Sequence, residues 1–198
     1  MPTTDIERHP FQPFLPPHAR LLMLGTFPPA ARRWCMAFYY PNYQNDMWRI
    51  FGLCFFGDKS HFLIEKEKRF DLDAIVSFLE EKGVALYDTA TRIRRTKNTA
   101  SDKDLEIVEP TDLDALLRQI PLCQAVVTAG QLATTLFCRH YGIAEPKVGQ
   151  HTDFSFDGRP MRLYRMPSSS RAYPMRAEQK AEYYEKVFEI IKHPNDKP

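Results

Sequence analysis

Apolar residues fall along this chain in short runs separated by polar, proline-bearing or glycine-bearing breaks. Four runs have strand length: residues 20–24, 84–87, 124–128 and 161–165. The first, closing with Leu21 to Leu24, does not alternate with polar residues, which predicts a strand buried on both faces. Between the runs the spacing becomes helical. Met47, Ile50, Phe51 and Cys54 mark a helix over 46–56, with Trp48 in the core. Leu72, Ile75, Val76 and Leu79 mark a second, opened by Asp71 as N-cap and stopped at Gly83. A third carries Leu113, Leu116, Leu117 and Ile120 behind Thr111 as its cap. Gly130 ends the 124–128 run and a helix follows over 131–141, the plain form of a βα unit. The last helix, 176–192, turns Tyr184, Val187, Phe188 and Ile191 inward. Residues 152–156 and 161–165 flank Asp157-Gly158, which reads as a hairpin turn.

Strands alternating with helices predict an α/β fold: a three-layer α/β/α sandwich around a central, mostly parallel, four-stranded sheet. The chain reads as a single domain over 1–198, with a proline-rich arm (1–19) on its surface and a loosely ordered tail (193–198). The carboxyl edge of such a sheet is where ligands bind. Here it gathers Gly25–Pro29, Asp88 with the basic-to-polar loop 91–104, Gly130, and the segment Pro167–Ala172.

Composition narrows the function classes. The chain is 43% hydrophobic and 26% charged, ordinary values for a globular protein. A formal charge of +2 argues no particular partner by itself. No stretch approaches the roughly 20 apolar residues that span a bilayer, and the N-terminus lacks signal-peptide order, so a cytoplasmic protein without membrane contact is expected. Cys35, Cys54, Cys123 and Cys138 form no CxxC pair and read as buried free thiols, an iron–sulfur cluster being the lesser alternative. The histidines show no metal-ligand spacing, so no metal and no cofactor is expected. Proline is the outlier at 16 residues, many of them stiffening loops.

The unusual chemistry lies in two loops. After the first strand, Gly25-Thr26-Phe27-Pro28-Pro29 leads to Phe38-Tyr39-Tyr40, then Asn42, Gln44, Asn45, Asp46 and Trp48. Aromatic faces beside amides suit a flat, heteroatom-rich ligand such as a nucleobase. After the last strand comes Met166-Pro167-Ser168-Ser169-Ser170-Arg171. A strand followed by Gly-x-x-Pro, an FYY…P…xNxxW segment, and a late strand closing on x-Pro-Ser-x-Ser resembles the uracil-DNA glycosylase superfamily. Its mismatch-specific and hypoxanthine-type branch is the most similar. GVALYDT followed by a basic loop is similar to that family's GxxLWD region, and the resemblance runs from about Leu21 to Ala172.

The resemblance implies a monomeric, monofunctional DNA glycosylase that removes a deaminated base, uracil or hypoxanthine, from a flipped nucleotide by water attack. It implies Asn45 as the catalytic amide, with Asp46 and Asp88 as carboxylates able to substitute. Gly25, Thr26, Phe27, Phe38, Tyr39 and Tyr40 would form the base site. Arg92, Arg94, Arg95, Lys97, Pro167, Ser168, Ser169, Ser170 and Arg171 would meet DNA. Simpler roles compete: Asp46 also reads as a helix N-cap, and the basic run as a solvated face. Two positions depart from the family pattern. Phe27 stands where an Asp or Asn commonly acts on water, and Met166 where uracil-specific members carry His. These departures keep two alternatives open: a lesion-binding module without catalysis, and a hydrolase of small nucleosides.

Overall fold

The computed structural model describes residues 5–97, 99 and 101–192. In chain order its strands and helices are β1 (Glu7–Arg8), β2 (Leu21–Gly25), α1 (Met47–Phe56), β3 (Leu63–Ile64), β4 (Arg69–Phe70), α2 (Leu72–Lys82), β5 (Val84–Asp88), β6 (Ala90–Arg95), β7 (Leu105–Pro110), α3 (Leu113–Gln119), β8 (Ala125–Ala129), α4 (Gln131–Tyr141), β9 (His151–Phe156), β10 (Arg159–Met166) and α5 (Ala177–Lys192). The fold is mixed α/β. Its central sheet has five strands in the order β5-β2-β8-β10-β9, not the four expected. The fifth is the hairpin partner β9, antiparallel to β10 from Phe156↔Arg159 to His151↔Tyr164. β5, β2, β8 and β10 are mutually parallel. An edge strand is free to alternate exposed and partly covered positions, and β9 does so.

Every residue of β2 and of β5 is buried. Successive strand side chains point to opposite faces, so both faces must be covered. One group of helices meets through aromatic packing: Phe51 of α1 stacks on Phe188 of α5 at 4.6 Å, and Phe78 of α2 packs edge-on to Phe51 and Phe55. α3 and α4 meet through Asp114, which accepts hydrogen bonds from Tyr141 and His140. Asp71 caps α2 by accepting from the Ala74 amide, and α2 stops at Gly83 with φ +69. α3 is capped by Asp112 rather than Thr111. Thr111 is buried and donates its hydroxyl to the Asp88 carbonyl at 2.6 Å, tying α3 to the end of β5.

Two sequence expectations are corrected by pairing between distant segments. The basic stretch after Asp88 is not an open loop: β6 and β7 form a hairpin, and β1 adds a third strand to it. The described part of the N-terminal arm, from residue 5 on, does not lie loosely on the surface. β1 pairs with β6, and Phe14 forms a β-bridge with Leu86 of the central sheet. Trp48 is fully buried in the core, as its spacing predicts. Among the described residues no helix is long and apolar enough to cross a membrane.

Candidate functional site

Four parallel strands deliver their carboxyl ends to one edge, and the loops leaving that edge enclose a cavity of about 270 Å³. β2 hands the chain to Gly25–Pro29. Thr89 and Ala90 hold this turn from beneath through backbone bonds to the Gly25 and Thr26 carbonyls. Arg95 holds it from above, donating to the Pro28 carbonyl at 2.6 Å and to Glu7 at 2.8 Å. The Arg95 guanidinium also lies over the Phe27 ring, 5.7 Å from its centroid. Arg95 is thus a buried part of the cavity wall.

The aromatic segment is fixed by its own polar groups. Tyr39 donates its hydroxyl to the Gln12 carbonyl at 2.7 Å, and Trp48 donates its indole N–H to the Tyr39 carbonyl. Arg49 donates to the carbonyls of Tyr43 and Asn45 and lies over the Tyr43 ring. The Asn45 side chain has a second task. Its Oδ1 accepts the Met47 amide at 2.9 Å and so satisfies one unpaired donor of the first turn of α1. What remains of the Asn45 amide for a ligand is chiefly Nδ2, a donor.

Asp46 sits at the N-cap position of α1 without making a side-chain capping bond. Its carboxylate turns to Lys180 of α5 at 2.9 Å, and Arg171 approaches it at 3.5 Å. Lys180 is fully buried and also donates to the Ser170 carbonyl at 2.8 Å, while the Asp46 amide donates to the Ser169 carbonyl. This pair therefore locks the Ser168–Arg171 loop against the start of α1. Burying two charges is expensive unless they are paired and hydrogen-bonded, and here they are.

Of the residues singled out from sequence, Gly25, Thr26, Phe27, Tyr39, Tyr40, Asn45, Asp88, Arg95, Ser168, Ser169, Ser170 and Arg171 line the cavity. Phe38, Asp46, Arg92, Arg94, Lys97 and Pro167 do not. Phe38 packs against Trp48 and Phe14. Pro167 accepts the Tyr184 hydroxyl through its carbonyl. Arg92 faces Glu109, Arg94 faces Glu106 and Lys97 faces Asp104. The basic run is therefore largely offset by carboxylates on the partner strand and its approach.

Two functional groups have no counterpart in the sequence reading. Asp102 lines the cavity and accepts the Thr26 hydroxyl at 2.7 Å. Burial raises its carboxyl above the ordinary value, the Thr26 bond opposing. His9, carried in by the arm, donates from Nε2 to Asp88 Oδ2 at 2.8 Å. Neither shows a local signal: Asp102 sits in a run of polar residues, and His9 lies 79 positions from its partner. Among the described residues no group of His, Cys, Asp or Glu is arranged to hold a metal ion, and the four cysteines are free thiols. Burial pushes the Cys123 thiol up to about 12, which makes it unreactive.

No family model matches the chain, and no curated protein matches it in sequence. Solved structures do. One is the solution NMR structure of a "putative Uracil DNA glycosylase" from Methanosarcina acetivorans, with 21% identity and a TM-score of 0.61 over 96% of this chain and 100% of that one. The likeness at this identity is one of fold.

Proposed function

We propose that this protein is a DNA glycosylase that hydrolyses the N-glycosidic bond of a deaminated base held in the carboxyl-edge cavity. The observation that carries the reading is a convergence. Aromatic faces, an amide donor, a carboxylate and a hydroxyl-rich loop with an arginine all line one cavity at the end of a parallel sheet. Drug-sized ligands occupy roughly 300–1,000 Å³, so a cavity of about 270 Å³ suits one small planar group such as a nucleobase. The whole-chain likeness of fold to the "putative Uracil DNA glycosylase" supports the same reading.

Each residue has work in this reaction. Phe27 and Tyr39 offer ring faces to the extruded base, and Asn45 Nδ2 donates to a base carbonyl. Cleavage builds positive charge on the sugar and negative charge on the departing base, so a carboxylate at the sugar and donors at the base both favour the transition state. Of the two carboxylates on the wall, Asp102 is engaged by the Thr26 hydroxyl and Asp88 takes that role, while Asp46 is engaged by Lys180 away from the cavity. Ser168, Ser169 and Ser170 supply hydroxyls and amides for backbone phosphate, and half-exposed Arg171 supplies charge. Uracil and hypoxanthine both present a carbonyl to such a donor. A cytoplasmic monomer acting on DNA without metal or cofactor completes the proposal.

One observation favours a second reading, a lesion-binding module without catalysis. Met166, where uracil-specific members carry His, is buried in the core and offers the cavity nothing. Labelled oligonucleotides carrying uracil, hypoxanthine, xanthine or a thymine mismatch, single- and double-stranded, decide between the two. Alkali-labile breaks at one lesion establish the glycosylase and name its base. Absence of breaks at enzyme excess, with salt-sensitive binding retained, establishes the binding module.

A further inference from the structure

Two features of the cavity floor remain after the base and phosphate roles are assigned. The first is Tyr40. Its hydroxyl is closed off from solvent and has no hydrogen-bond partner among the described residues. Buried hydroxyls are nearly always paired, so this one marks a place where a polar group is expected. Tyr40 also adopts φ +50, in the left-handed region that a bulky side chain rarely enters and that collects at functional sites. Burial holds its phenol well above the ordinary value, so the group is a neutral O–H donor.

The second feature is the way Asp88 is held. Its Oδ2 is taken by His9 Nε2 at 2.8 Å, in surroundings that leave the two side chains 9% and 3% exposed. The imidazole cannot turn away easily. Its Nδ1 lies 3.1 Å from the Phe11 amide, and its ring packs 5.2 Å from Phe27 and 4.7 Å from Tyr87. Asp88 Oδ1 is consequently aimed at Gly25. A Cβ on Gly25 would lie 2.6 Å from Oδ1 and 3.9 Å from the Tyr40 hydroxyl. Only glycine fits at position 25, because Asp88 Oδ1 already occupies the space a Cβ would take, and the unpaired Tyr40 hydroxyl lies close to the same point.

We propose that Asp88 Oδ1 and the Tyr40 hydroxyl hold the attacking water of the glycosylase reaction, and that His9 is the positioning residue that fixes Asp88 for it. The proposal rests on the glycosylase reading above. In the step, the water oxygen bonds to C1′ of the sugar and the C1′–N bond breaks with its electron pair passing to the base. One water proton passes to Asp88 Oδ1 and then to solvent, and the departing base anion takes up a proton from solvent. Tyr40 is thereby reassigned from base stacking to water binding, and the arm becomes part of the site.

Single-turnover cleavage of the lesion that the wild-type protein cuts tests this, together with a high-resolution crystal structure of the wild type. Asp88→Asn should slow cleavage by about 100-fold or more, in the range of general-base effects, and Tyr40→Phe by about 10-fold. Both should leave affinity for the lesion oligonucleotide unchanged. His9→Leu should lower kcat with KM unchanged, and His9→Gln, which restores an N–H donor, should recover most of that loss. A merely structural His9 would instead give equal losses in both variants. The crystal should show one ordered water bridging Asp88 Oδ1 and the Tyr40 hydroxyl. Wild-type rates in Tyr40→Phe and Asp88→Asn overturn the proposal, and so does a crystal without that water. A wild type that cuts no lesion removes the glycosylase reading instead, and the bridging water then decides whether the site exists.

Discussion

The Asp46–Lys180 pair offers the sharpest test of how the site is built. Lys180 is 0% exposed and Asp46 4%. Their contact of 2.9 Å joins the start of α1 to α5 across 134 positions of chain. Lys180→Met keeps the unbranched apolar stem of the side chain, one atom shorter, and removes the charge and its donors. It strands the Asp46 carboxylate beside a half-exposed Arg171 at 3.5 Å and leaves the Ser170 carbonyl without its donor. Breaking one side of a buried pair costs about 3–5 kcal/mol, because the partner charge stays buried. Against a total stability of about 5–15 kcal/mol this is a large share. For a chain of this length it lowers Tm by roughly 6–20 °C. Urea denaturation followed by circular dichroism reads the loss directly, as a lower midpoint with unchanged slope. Asp46→Asn/Lys180→Met should recover about half of it, since no charge is then left unpaired. A loss in Lys180→Met below about 1 kcal/mol would refute the reasoning, because it would place the pair among solvent-screened ones.

Asn45→Ala should abolish cleavage while DNA binding stays nearly intact, and should cost about 1 kcal/mol through the lost bond to the Met47 amide; a variant with full activity would remove Asn45 from the site. Asp102 has a pH signature. Its folded-state pKa is raised above the ordinary 3.8, so its contribution to stability is present below that pH and is lost as pH rises through the folded value. Asp102→Asn should therefore gain on the wild type as pH rises above the ordinary carboxylate value in urea titrations, and a difference that stays constant through that rise would contradict the assignment. Phe51→Ala, in the stack with Phe188, should cost about 3–5 kcal/mol in the same assay. If loop 168–171 meets phosphate, Arg171→Ala should weaken DNA binding and reduce its salt slope by about 1, as measured by fluorescence anisotropy at several salt concentrations.

The strands and helices of the scaffold, and the two loops that carry the chemistry, are legible in the residue pattern alone. The reason is local. A strand covered on both faces needs an unbroken apolar run such as Leu21–Leu24, and a half-buried helix needs apolar residues at helical spacing, as at Leu72, Ile75 and Leu79. Asp71, Gly83 and Asp157-Gly158 likewise act through the backbone beside them. The parallel order of the strands then places Gly25, Asp88, Gly130 and Pro167 at one edge. One local signal is masked by the density of charge: Ile93 between Arg92 and Arg94, opposite Ile107, is the alternation of a strand. Which side chains meet depends instead on how distant segments pack. Asp46 enters a buried pair because Lys180 arrives from the far end of the chain. Asp88 gains its imidazole because pairing of β1 with β6 carries His9 inward. Asp102 enters the cavity because the β6–β7 hairpin folds it onto Thr26. Such contacts depend on strand order and register, which long-range packing selects and residue spacing along the chain does not record.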